Sequence, residues 1–184
     1  MKKYLLTALL IAAISSLGMA QSKSSFNNGD NLFNVGIGLG SPFFGAGYSA
    51  SLPVNPVVSF EHGITDAISV GATASFASSK YGYSILNTNY SFKETAIFIG
   101  VRGSYHFDQI FNIDPKFDVY GGASVGYVIV SVSDNQGNSG SAASGGGFGA
   151  FAGGKYYFQS NIAVYAELGY QSLSVMNAGI TFKF

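Results

Sequence analysis

Among the charged residues inside stretches that otherwise alternate apolar with small or polar side chains, four stand out: Glu61, Arg102, Lys155 and Glu167. All four occupy the less greasy of the two alternating faces. A lone charge taken out of water is costly, so two acids and two bases on one kind of face are expected to pair by opposite sign. Lys155 and Glu167 flank the tight turn Gln159-Ser160-Asn161 and are expected to meet as diagonal neighbours. Such a cluster can act as a static plug that fixes strand register, or as a gate that rearranges into a narrow channel. The static plug is the favoured reading.

Other chemistry is thinly supplied. His62 and His106 lie near turns that hold Asp66 and Asp108, and a hydrolase built there would need a serine at the same rim. No nucleophile elbow at a strand-to-helix turn is read. The histidines have no third ligand nearby, and the absence of cysteine removes thiolate metal sites and cysteine nucleophiles, so no metal site is expected. Gly36-Ile37-Gly38-Leu39-Gly40 lacks the following helix of a dinucleotide fingerprint, because Ser41-Pro42-Phe43-Phe44-Gly45 reads as a loop. Gly145-Gly146-Gly147-Phe148-Gly149 lacks the Lys-Ser/Thr of a phosphate loop. No enzyme activity and no cofactor are expected. Nine basic residues against nine acidic ones, with no basic cluster, remove the footprint of a nucleic-acid binder.

The elements that carry these residues are strands. In Phe33-Asn34-Val35-Gly36-Ile37-Gly38-Leu39-Gly40 every odd residue is large and apolar and every even one is small or polar. Side chains of a strand alternate between faces, so the run has one greasy face and one spare face. A helix would spread the glycines around its circumference and lose stability at each. The same alternation recurs around 57–62, 68–76, 95–107, 117–129, 148–158, 162–170 and 179–184, which makes eight strands. Connectors 41–56, 77–94 and 131–146 are long and rich in Ser, Gly, Asn and Tyr, whereas 63–67, 108–115 and 159–161 are shorter. Because direction alternates, these long connectors emerge at one end and the short ones at the other.

Composition decides which face meets what. Only 10% of the 184 residues are charged, against roughly a quarter to a third expected for a water-facing surface. The spare faces carry Gly, Ser, Thr and Tyr, poor cover against water but a good fit to a crowded barrel interior, where glycines leave room for Tyr120, Phe151, Tyr157 and Tyr165. The greasy faces hold Phe76, Tyr105, Phe107, Phe117, Tyr127, Phe148, Tyr156, Phe158 and Tyr170 near strand ends, as aromatic girdles would. The fold expected is all-β: an eight-stranded antiparallel up-and-down transmembrane β-barrel. A soluble barrel binding a lipophile is the alternative with inverted faces.

The chain begins with an export pattern. Lys2 and Lys3 precede a mostly apolar run, Tyr4 to Ser16, and Gly18-Met19-Ala20 offers small residues for a cut between Ala20 and Gln21. The expected organisation is a signal peptide over 1–20, a short periplasmic segment over 21–31, and the barrel over 32–184. Removing 1–20 takes away Lys2 and Lys3 and leaves seven basic against nine acidic residues.

Two segments carry a family resemblance. Glu61-His62-Gly63-Ile64-Thr65-Asp66-Ala67-Ile68-Ser69-Val70-Gly71 resembles the strand–turn–strand of the small outer membrane protein β-barrel family, related in architecture to the OmpA and OmpX type. Ile180-Thr181-Phe182-Lys183-Phe184 is similar to the C-terminal signal read by the outer-membrane assembly machinery, with Ile180, Phe182 and Phe184 as its alternating residues. The resemblance implies a monomer in the lipid of the outer membrane, delivered by that machinery. Its role would be structural or surface-interacting, through loops whose partner the sequence does not name. A narrow ion or small-solute pore is the second reading and a rim-sited enzyme the third. No peptidoglycan-binding domain is read after the barrel, so wall anchoring is not expected.

Overall fold

The computed structural model describes residues 24–42, 49–50, 54–85, 88–111, 114–135, 139–141 and 144–184. The export pattern and the Ala20–Gln21 cut lie outside the described residues. The elements are β1 (Asn31–Leu39), β2 (Ser49–Ala50), β3 (Asn55–Gly63), β4 (Ile68–Ile85), β5 (Thr88–His106), one helical turn α1 (Asp108–Phe111), β6 (Phe117–Asp134), β7 (Ser139–Ser141), β8 (Gly145–Gln159), β9 (Ile162–Gln171) and β10 (Met176–Lys183). Eight of these strands form an antiparallel ring in chain order, β1-β3-β4-β5-β6-β8-β9-β10, and β10 pairs back onto β1 from Leu32↔Lys183 to Leu39↔Met176. Closure leaves the main ring without a free edge along these ladders.

Alternation sets the faces. Val125, Phe148 and Leu168 project outward, each more than 60% exposed, and Phe33, Val35, Ile37, Ile99 and Val101 stand on the same outer surface. Tyr120, Phe151, Tyr157 and Tyr165 are buried inside. Glycines make the space for them. A Cβ on Gly36 would lie 2.3 Å from the Tyr165 hydroxyl, and one on Gly122 would lie 2.6 Å from the tip of Phe151. The barrel is thus inside out relative to a soluble one, with apolar side chains on the outer wall and polar groups and aromatics in the lumen.

The long connectors differ from the sequence expectation. β4 continues to Ile85 and β5 begins at Thr88, so most of 77–94 is a two-stranded hairpin in unbroken register from Ala77↔Ala96 to Ile85↔Thr88. β6 likewise runs to Asp134, with β7 paired beside it. Ser, Thr and Tyr satisfy the β-ladder as well as Val or Ile do. These residues lack the greasy face by which the rest of the barrel announces itself. The far ends are therefore strand without being belt.

Candidate functional site in the barrel lumen

The lumen holds a connected set of buried polar groups. Arg102, on β5, reaches across to acids on β3 and β9: its Nε lies 3.2 Å from Glu61 Oε1 and its Nη2 donates to Glu167 Oε1 at 2.8 Å. Its guanidinium also sits 4.3 Å from the centre of the Phe151 ring, a cation–π contact. Glu61 accepts from Ser69 Oγ at 2.8 Å and from Ser104 Oγ at 2.7 Å, and Glu167 accepts from the Tyr120 hydroxyl at 3.0 Å. Each carboxylate is therefore paired and hydrogen-bonded, the condition under which a buried charge is tolerated.

A second group lies nearer the short turns. Lys155 Nζ donates to Asp118 Oδ2 at 3.1 Å and stands 3.5 Å from the centre of the Tyr120 ring. Asp118 Oδ1 lies 2.7 Å from His106 Nδ1, and His106 Nε2 lies 3.1 Å from Ser69 Oγ. Since a carboxylate only accepts, the Nδ1 hydrogen points to Asp118. Ser69, His106 and Asp118 thus have the connectivity of a nucleophile, base and orienting acid. Two features oppose nucleophilic use. The Ser69 hydroxyl hydrogen is directed to Glu61, and Ser69 has no exposed surface by which a substrate carbonyl could approach.

Of the four strand charges singled out in the sequence, Glu61, Arg102 and Glu167 come together, and Lys155 joins Asp118. The expected pair between Lys155 and Glu167 does not form. Lys155 faces Asp118 directly across the β6–β8 ladder, whereas Glu167 stands opposite Gly153 and is taken by the longer Arg102. A direct cross-strand partner is nearer than a diagonal one. His106 was singled out in the sequence beside Asp108, whereas its partner is Asp118, which the alternation of β6 also places on an inner-facing position. The two histidines diverge: His62 faces outward and contacts Asn31 Oδ1 at 3.0 Å, while His106 is buried in the lumen. Ile180, Phe182 and Phe184 lie on the outer surface of the closing strand or at its end.

Both ends of this polar set are covered. At the short-turn end Phe26, fully buried, stacks on His106 with ring centroids 3.7 Å apart and planes 8° apart. Its segment is tied down by Gly29 N–H donating to Gly63 O at 2.9 Å, Gly63 N–H to Asp30 O at 2.8 Å, and Lys183 Nζ to Ser25 O at 2.8 Å. The Ser25 hydroxyl donates to Asp108. Asp108 lies outside the strands, and burial first, then the Asp118 charge, push its carboxyl above the usual range. At the other end Ala77, Ala96, Phe98, Val128, Val130 and Leu173 form an apolar cluster inside the barrel. Leu173 is delivered by a turn in which Ser172 adopts a left-handed backbone, φ 59°, held by its hydroxyl donating to Phe148 O at 2.7 Å. The cavity left beside Arg102, Phe151 and Asn177 measures about 10 Å³, room for a single water.

A closed eight-stranded up-and-down barrel, greasy outside and charged inside, has the fold of the small outer-membrane barrels. Solved structures of that class are similar to it: the outer membrane protein OprG of Pseudomonas aeruginosa (TM-score 0.54, 12% identity, 88% of this chain and 98% of that one) and the N-terminal β-barrel domain of Pseudomonas aeruginosa OprF (TM-score 0.52, 14% identity, 86% and 99%). No protein-family model and no curated protein sequence matches the chain.

Proposed function

We propose that this chain is an integral outer-membrane barrel with a structural or surface-interacting role and a lumen that does not conduct. The observation that carries the reading is the filled interior: paired charges in the middle, Phe26 below them and the apolar cluster above. A water-filled pore would need a continuous polar passage. The outer wall supports the membrane assignment, since Val35, Ile99, Val125, Phe148 and Leu168 would otherwise face water. Export through residues 1–20, recognition of Ile180, Phe182 and Phe184 by the assembly machinery, and action as a monomer belong to the same proposal. In this orientation the short turns and Phe26 face the periplasm, and the β4–β5 hairpin faces the outside. Surface interaction then falls to the hairpins, and catalysis is not part of the role, because Ser69 and His106 are sealed.

Intact cells expressing the protein, treated with protease and analysed on gels with and without heating, test this reading. Cleavage within the β4–β5 hairpin, with a protected core that migrates differently when unheated, is the expected result. A chain released to the soluble periplasmic fraction, or one uncut until cells are broken, would contradict it.

A further inference from the structure

The outer face of the β4–β5 hairpin carries a graded ladder of directly opposed pairs. In order along the strands these are Ala74↔Ile99, Phe76↔Ile97, Ser78↔Thr95 and Lys80↔Lys93. The first two continue the apolar belt. The third is a pair of hydroxyls, with Ser78 Oγ and Thr95 Oγ1 3.4 Å apart. The fourth sets two exposed ammonium groups against each other. On β6 the belt likewise passes from Ile129 to Ser131 and Ser133, and Ser133 is paired with Lys93.

Like charges directly opposite on one face are destabilising in isolation. Glu94 and Asp134, the acids of this region, fall on the alternate, inner-facing positions of their strands, and among the described residues neither lysine has a carboxylate within ion-pair distance. The lysines stand four residues beyond Phe76 and Ile97, which is about 13 Å along the strand and less in height once strand tilt is included. A lysine stem can bend back toward the apolar zone and present its ammonium at headgroup level.

We propose that Lys80 and Lys93 form a clamp for the phosphate groups of an outer-leaflet lipid. The missing counter-charge of the pair is supplied by the membrane rather than by the protein, whose Ser78 hydroxyl below the lysines is buried against Thr95. The position just above the apolar belt favours a lipid headgroup over a soluble polyanion, which would be free to bind at the tip of the hairpin. The inference rests on the outer-membrane reading above.

The barrel reconstituted in phosphatidylcholine vesicles is probed with spin-labelled lipids, comparing a phosphorylated glycolipid (lipid A) with phosphatidylcholine for the motionally restricted shell. Native protein is expected to prefer the phosphorylated lipid, with roughly a fivefold loss of preference for each lysine removed as Lys80→Gln or Lys93→Gln. Lys93→Glu supplies an internal counter-charge. It is expected to abolish the preference while leaving the barrel as heat-resistant as the native protein in phosphatidylcholine. Equal preference in native and double-substituted protein would overturn the clamp, as would a preference that heparin removes from the native protein without displacement by dephosphorylated lipid. Failure of the protein to insert into vesicles at all, seen as full protease sensitivity, would overturn the membrane reading and the clamp together. Insertion without lipid preference would overturn the clamp alone.

Discussion

The two halves of the lumen solve the same problem by opposite means. Toward the short turns the inward positions of β3, β5, β6, β8 and β9 carry Glu61, Arg102, His106, Asp118, Lys155 and Glu167, joined through Ser69, Ser104 and Tyr120. Toward the long hairpins the inward positions carry Ala77, Ala96, Phe98, Val128 and Val130, closed by Leu173. The apolar half follows the rule of a soluble core, non-directional and tolerant of similar volumes. The polar half is directional, and each member depends on its partners, so its value lies in specifying one register rather than in adding net stability. A uniformly greasy outer wall resists a slip of one residue, which would turn the lumen face outward, but does not distinguish a slip of two. The lumen is where register is fixed.

Breaking the polar half should cost most. Arg102→Met leaves Glu61 and Glu167 facing each other without their shared cation, and a loss of about 3–5 kcal/mol is expected in denaturant unfolding from lipid vesicles. Adding Glu61→Gln and Glu167→Gln to the same chain should recover much of that loss. A triple variant as unstable as the sum of its parts would show that the charges do not act as a unit. In the apolar half Leu173→Ala should cost about 3 kcal/mol, close to an ordinary core truncation, with no recovery from any second polar change.

Smaller effects sharpen the contrast at the cover on the short-turn end. Phe26→Ala removes the ring stacked on His106 and should weaken docking of residues 24–30 by about 2 kcal/mol. The readout is faster hydrogen exchange at the Gly29 and Gly63 amides, with the global unfolding midpoint moving less than for Arg102→Met. The smallest effect is the pH dependence of global unfolding. Burial first and then the Asp118 charge raise the Asp108 carboxyl in the folded protein, so the folded state takes up a proton more readily than the unfolded chain. This contribution to stability should be present at low pH and be lost as pH rises through the raised value. Unfolding midpoints measured across that range check this, and Asp108→Asn should flatten the profile.

The barrel was legible because alternation is local: Phe33 to Gly40 states its two faces without reference to any other strand. The partners inside were less legible, because pairing across a lumen depends on register summed around the ring. Lys155 and Glu167 are diagonal neighbours in the β8–β9 ladder, as expected, yet Lys155 goes to Asp118 directly across the β6–β8 ladder and Glu167 to Arg102, 65 residues away. Phe26 was invisible for a different reason. A single aromatic in a short polar segment has no periodicity, and only a lumen with His106 open at its mouth gives it a place to go. The hairpin strands beyond the belt were read as loops because hydroxyl-rich strands lack the apolar signature.

Recording ionic current through the purified barrel in a planar lipid bilayer tests the filled lumen most directly. The native protein, inserted and heat-modifiable, should show no discrete conductance steps across moderate voltages in simple salt. Steady, reproducible steps from inserted native protein would contradict a lumen closed by Phe26, the Arg102 cluster and Leu173.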